Sequence, residues 1–113
     1  VIITFRPKKL GKLCNSLKES QRKWGARKGE LVMRRLDELR DADNLAILCL
    51  VHPESRCHPL KGNRKGQWVL ELEFPHGLLF EIDNDPLPKL GDGSLDKERV
   101  TMVRVIGVEN YHG

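Results

Sequence analysis

From Gln67 to Phe74 the chain alternates without a fault, with Trp68, Leu70, Leu72 and Phe74 on one side and Gln67, Val69, Glu71 and Glu73 on the other. A period of two sends successive side chains to opposite faces of an extended strand, so this run demands a sheet with one face turned toward a core. Pro75, His76 and Gly77 form a turn, and Leu78 to Ile82 reads as the next strand. Val100 to Val108, β-branched and alternating around Arg104, predicts another, while Cys57 to Leu60 and the opening VIITF predict short ones. Between the first strand and the rest the period changes. Leu10, Leu13, Cys14 and Leu17 fall at helical spacing within a helix expected from Lys8 to about Trp24. Val32, Leu36 and Leu39 do the same in a second helix from about Arg27 to Ala42, with Gly25 as the break. Trp24 is read as closing this helical pair rather than as a base-stacking platform. Asn44 to Leu50 is apolar but too short to assign, and Asp83 to Asp96, with its prolines, glycines and acids, reads as a loop. The predicted fold is α+β: an N-terminal strand, then an antiparallel two-helix hairpin on one face of a twisted, mainly antiparallel sheet of four to five strands.

A chain of 113 residues fits a single domain, 1–113, with one modest core. Aromatic residues make up only 5% of it, so Leu, Val and Ile must fill that core. No stretch is apolar for long enough to cross a bilayer, and the basic start from Arg6 to Lys12 is not followed by the apolar run of an export signal. A cytoplasmic protein with no membrane partner is therefore expected. Three cysteines, Cys14, Cys49 and Cys57, argue against a disulfide scaffold. Cys49, His52, Cys57 and His58 resemble a metal-ligand set, but neighbours 57 and 58 point to opposite faces of a strand and chelate one ion poorly. No metal and no cofactor are expected, and the thiols read as buried or bystanders.

Charge is unevenly spread. Residues 1–53 carry twelve Lys or Arg against six Asp or Glu, and 54–68 carry four against one, whereas 69–99 carry three against eight. A basic half beside an acidic loop can steer a polyanion toward one face, although a small domain also carries such charge for solubility alone. The densest cationic run is the turn Lys61 to Gly66, with Lys61, Arg64 and Lys65 directly after His58. It lacks the glycine pattern and following helix of a phosphate-binding loop.

Proton transfer near neutral pH falls to four histidines, His52, His58, His76 and His112. If the strand at His58 and the C-terminal strand bring their ends together, His58 and His112 flank a phosphodiester and Lys61, Arg64 and Lys65 hold its nonbridging oxygens. That arrangement suits metal-free RNA cleavage, in which a base takes the 2′-OH proton and an acid protonates the departing 5′-oxygen. DNA lacks that nucleophile. The competing readings are a strand histidine bonded to backbone at 58, ordinary turn cations, and a Tyr111 that anchors the chain in the core.

The run His58, Pro59, Leu60, Lys61, Gly62, with Arg64, Gly66 and Trp68 after it and Asn110, Tyr111, His112 at the far end, resembles the HigB-type plasmid-maintenance killer proteins of the RelE/ParE superfamily. The likeness in layout covers nearly the whole chain. It implies a type II toxin that enters the ribosomal A site and cuts translated mRNA, and that a helix-turn-helix antitoxin neutralises in a toxin–antitoxin hetero-oligomer. It assigns functional roles to His58, His112 and Tyr111 and a phosphate-binding rim to Lys61, Arg64 and Lys65, with Asn110, His76 and Arg104 in support. Two positions depart from the pattern. Asn110 stands where the family has an aspartate, and Pro75, His76, Gly77 stand where it has an arginine aimed at the RNA. An amide can still orient a histidine but supplies no charge, and a missing guanidinium weakens transition-state stabilisation. Two other classes therefore remain: a gyrase-inhibiting toxin, and a weakened toxin-like protein that keeps antitoxin binding.

Overall fold

A computed structural model describes residues 1–111 of the chain. The strands are β1 (Ile2–Phe5), β2 (His58–Pro59), β3 (Gln67–Glu71), β4 (His76–Ile82) and β5 (Met102–Asn110), and the helices are α1 (Lys8–Cys14), α2 (Leu17–Trp24), α3 (Ala26–Asp41) and α4 (Leu45–Val51). The strands form one sheet in the order β1-β5-β4-β3-β2. Every neighbouring pair is antiparallel except β1 and β5, which run parallel with Ile2 opposite Met102. The domain is therefore α+β with a mixed five-stranded sheet.

The helix expected from Lys8 to Trp24 is in fact two. Ser16 is extended, and its side-chain oxygen accepts from the Glu19 amide, so it caps a new helix instead of continuing the old one. Leu17, expected on the buried stripe, lies just past this break and is exposed. The unassigned apolar stretch is α4, started in the same way by the Asn44 side chain accepting from the Ile47 amide. Helix α3 closely matches the expected span. At Gly29 it passes so near α2 that a Cβ there would lie 2.5 Å from the Gln21 backbone nitrogen. Trp24 ends α2 and packs against the core, as the helical-joint reading requires.

Leu10 and Cys14 of α1, four α3 residues from Leu31 to Leu39, and Leu45 and Leu48 of α4 pack on Leu70, Leu78, Phe80, Val103 and Val105 of the sheet. Arg35 and Glu38 of α3 are buried beside this core as an ion pair at 3.0 Å. The Arg35 Nε–H also donates to the backbone carbonyl of Glu71, tying α3 to the end of β3. The alternation read through to Phe74 stops at Glu71, because the chain turns there: the Leu72 amide donates to the His76 carbonyl and the His76 amide to that of Glu73. Phe74 accordingly stands largely exposed instead of facing the core.

Candidate functional site

Cross-strand register decides which side chains share the face turned away from the helices. His58 pairs with Val69 and Val69 with Leu79, so these three project to one side, and two residues further along Glu71 pairs with Gly77 and Gly77 with Glu109. Val69 and Leu79 are fully buried yet belong to no part of the helix-side core, so this face has a small apolar floor of its own.

Tyr111 follows β5 and crosses that floor. Its ring lies over Gly77, its hydroxyl donates to the Glu71 carboxylate at 2.6 Å, and its ring centroid is 5.8 Å from that of His58, tilted by 57°. Two strands separate β5 from β2, roughly 14 Å across the sheet, and Tyr111 spans the gap because position 77 has no side chain. A Cβ at Gly77 would come 2.8 Å from Tyr111 Cε1 and closer still to Val69 Cγ2. The glycine that reads in sequence as a lost arginine is thus the seat of the tyrosine.

His58 is oriented from its own strand end. Its Nδ1 lies 2.6 Å from the Arg56 carbonyl, an acceptor only, so Nδ1 carries the proton and the neutral ring leaves Nε2 as the basic atom. Arg56 makes this possible by adopting the left-handed conformation, with φ 46°, at the end of the turn Pro53–Ser55. Its guanidinium lies 3.7 Å from Glu71. Arg64 reaches over the same face to Gln67 and to Glu109, at 3.4 Å from the latter, while Lys61 and Lys65 on the turn are exposed.

The structure therefore gathers His58, Tyr111 and Arg64 with Lys61 and Lys65 at the rim, and adds Glu71, Arg56 and Glu109, which sequence reading did not single out. Glu71 was visible on the polar side of the alternating strand, but only register shows that this side is also His58's. His112 lies outside the described residues. Asn110 pairs with His76, one register row beyond Gly77 and so on the opposite face from Glu71. Arg104 is on the His58 face but further along, on β5, where it pairs with Glu81 at 3.2 Å and Asp83 at 3.3 Å. Of the metal-like set, Cys49 and Cys57 are each partly buried against the core, whereas His52 Nδ1 turns to Glu38 and Glu54. Glu38, His52 and Glu54 bring donor atoms within 4.8 Å of one another, but Arg35 already holds the Glu38 carboxylate.

Burial, then the hydrogen bond to Glu71 and its charge, raise the Tyr111 pKa above the ordinary 10, with Arg56 opposing. The phenol is thus held protonated as a donor. A raised folded-state pKa favours the protonated form, so this contribution to stability is complete below pH 10 and is lost as pH rises through the raised value. Tyr111 is the one tyrosine of the chain, so tyrosinate absorbance reports it alone. Its midpoint in the folded protein is expected above pH 10, and lower in Glu71→Gln than in wild type. A wild-type midpoint at pH 10 would contradict the Glu71 contact. No protein-family model matches the chain, and no curated protein matches it either.

Proposed function

We propose that the chain is a toxin of a type II toxin–antitoxin system with a RelE/ParE-like arrangement, acting in the cytoplasm as a ribosome-dependent mRNA endoribonuclease. One observation carries the reading: His58 of β2 and Tyr111 beyond the end of β5 meet on one face of the sheet, beside the cationic turn of Lys61, Arg64 and Lys65. In the proposed reaction His58 Nε2 takes the 2′-OH proton, the 2′-oxygen bonds to the adjacent phosphorus, and the bond from phosphorus to the 5′-oxygen breaks as that oxygen is protonated. The products are a 2′,3′-cyclic phosphate and a 5′-hydroxyl. His112 is the proposed acid, on sequence grounds alone. Tyr111, kept neutral, positions the phosphate and packs against the base. Lys61 and Lys65 offer charge to nonbridging oxygens, and Arg64 does so in exchange for its pair with Glu109.

A partly apolar groove of about 510 Å³, lined by Pro59, Gly66, Trp68, Glu81, Leu87 and Arg104, is the proposed bed of a neighbouring nucleotide. A cognate helix-turn-helix antitoxin is the proposed neutralising partner. The test is incubation of the purified chain with ribosomes carrying a defined mRNA, with free mRNA and EDTA-treated samples alongside. New RNA ends that need the ribosome and survive EDTA are expected. Intact mRNA with a folded sample would favour a weakened binding protein, a reading supported by Glu71 and Glu109 standing against Arg56 and Arg64. A supercoiling assay would then expose a gyrase inhibitor.

A further inference from the structure

We propose that Glu38, His52 and Glu54 form a binding site for one divalent transition-metal ion, zinc by the chemistry of the donors. The proposal does not depend on the nuclease reading. Glu38 lies near the end of α3, His52 caps α4, and Glu54 belongs to the turn Pro53–Ser55. The fold thus gives the histidine of the metal-like set two carboxylates in place of the cysteines. Its Nδ1 lies 3.3 Å from Glu38 Oε2 and 3.2 Å from Glu54 Oε1, and donor atoms of all three residues fall within 4.8 Å of one another. Ligand atoms about 2.0–2.2 Å from a tetrahedral zinc stand about 3.3–3.6 Å apart, so both measured separations are close to those of a shared ion. As hydrogen bonds they sit at or beyond the long end of the ordinary range, about 2.7–3.2 Å. The remaining edge, between the carboxylates, closes by turning the exposed Glu54 side chain.

Arg35 supports this arrangement rather than filling it. Its Nη1 is 3.0 Å from Glu38 Oε1 and 3.4 Å from Oε2, so the guanidinium holds chiefly the first oxygen and leaves the second turned to His52. Ligating carboxylates are commonly fixed by such an outer donor. Two carboxylates against one guanidinium leave a net negative charge for a cation to neutralise. Asp41 adds to it, bordering with Glu38 and His52 two cavities of about 370 and 260 Å³. Burial falls from Glu38 through the half-buried His52 to the exposed Glu54, so an ion enters from the Glu54 side and water takes its fourth position. Between two ionised carboxylates, which only accept, Nδ1 carries the ring hydrogen. On binding, the metal takes that place and the neutral ring keeps its hydrogen on Nε2. Calcium and magnesium favour all-oxygen shells, whereas an imidazole suits zinc. An ion here fastens α3 to the turn whose end, Arg56, orients His58.

The experiment titrates the chelator-stripped full chain with zinc chloride by calorimetry, in a phosphate-free buffer with the cysteines kept reduced by a phosphine, and records the zinc X-ray absorption of the saturated sample. One saturable equivalent, a shell of nitrogen and oxygen without sulfur, and no displacement by excess magnesium are expected. Loss of an outer partner alone costs a metal site about 10- to 100-fold in affinity, so His52→Ala and Glu54→Gln should each weaken binding by at least about 10-fold. The exposed Glu54 keeps the test decisive if His52→Ala does not fold. No saturable equivalent, sulfur in the zinc shell, displacement by magnesium, or an affinity unchanged in Glu54→Gln, which marks an adventitious ion only, would overturn the proposal.

Discussion

Replacing Arg35 with methionine is expected to lower the unfolding free energy by about 3–5 kcal/mol, the cost of leaving a buried partner charge uncompensated. Arg35 is 4% exposed, and its guanidinium both pairs with Glu38 and donates to the backbone carbonyl of Glu71. Without it the Glu38 carboxylate, itself buried, keeps among the described residues only His52 as a paired cation, and then only when that imidazole is protonated. Urea unfolding at unchanged slope would measure the loss. The double variant Arg35→Met, Glu38→Leu should recover most of it, since apolar residues can replace a buried ion pair with little penalty. A single-variant loss below about 1 kcal/mol, the range of an exposed pair, would show that the guanidinium is dispensable. Because Arg35 also fixes the backbone at Glu71, the single variant should bring the Tyr111 titration closer to pH 10 as well.

The second large effect concerns the proposed reaction. Substituting alanine for His58 should reduce ribosome-dependent cleavage by about 10²- to 10⁴-fold, the usual contribution of one positioned acid or base. Stability should change little, since the imidazole is only partly buried and its Nδ1 bond to Arg56 spans two residues. Primer extension on a programmed ribosome gives the rate, and circular dichroism confirms the fold. Cleavage within a few-fold of wild type would remove His58 from the base role, whatever else bound the RNA.

Much of the fold could be read in the sequence, because periodicity records burial along each element. The alternation before Phe74, the stripe of α3 and the β-branched run around Arg104 all became the elements they announce. The failures lie where a local hydrogen bond overrides a pattern: Ser16 splits a helical stripe, and Asn44 starts a helix in a run too short to assign. The site was less legible. His58 and the basic turn stood out by composition, but the convergence of Gly77, Glu71 and Tyr111 depends on cross-strand register, which a single sequence does not carry. For the same reason Gly77 read as a deficiency, and Asn110 was weighed as a lost acid although Glu71 already brings a carboxylate to the tyrosine.

The parallel partnership of β1 with β5 also governs when the molecule can exist. During synthesis β1 is made before β5 and has no partner strand until β5 has followed, since Ile2 is held by a strand that starts at Met102. Helices α1 to α4 and the β3–β4 hairpin precede that strand, yet β5 supplies an interior strand of the sheet they cover, between β1 and β4. Such distant closure favours late, all-or-none assembly over stepwise growth. Tyr111 comes after β5, so its contact with His58 forms only after all five strands of the sheet have been translated, and a chain cut short before β5 carries no assembled site.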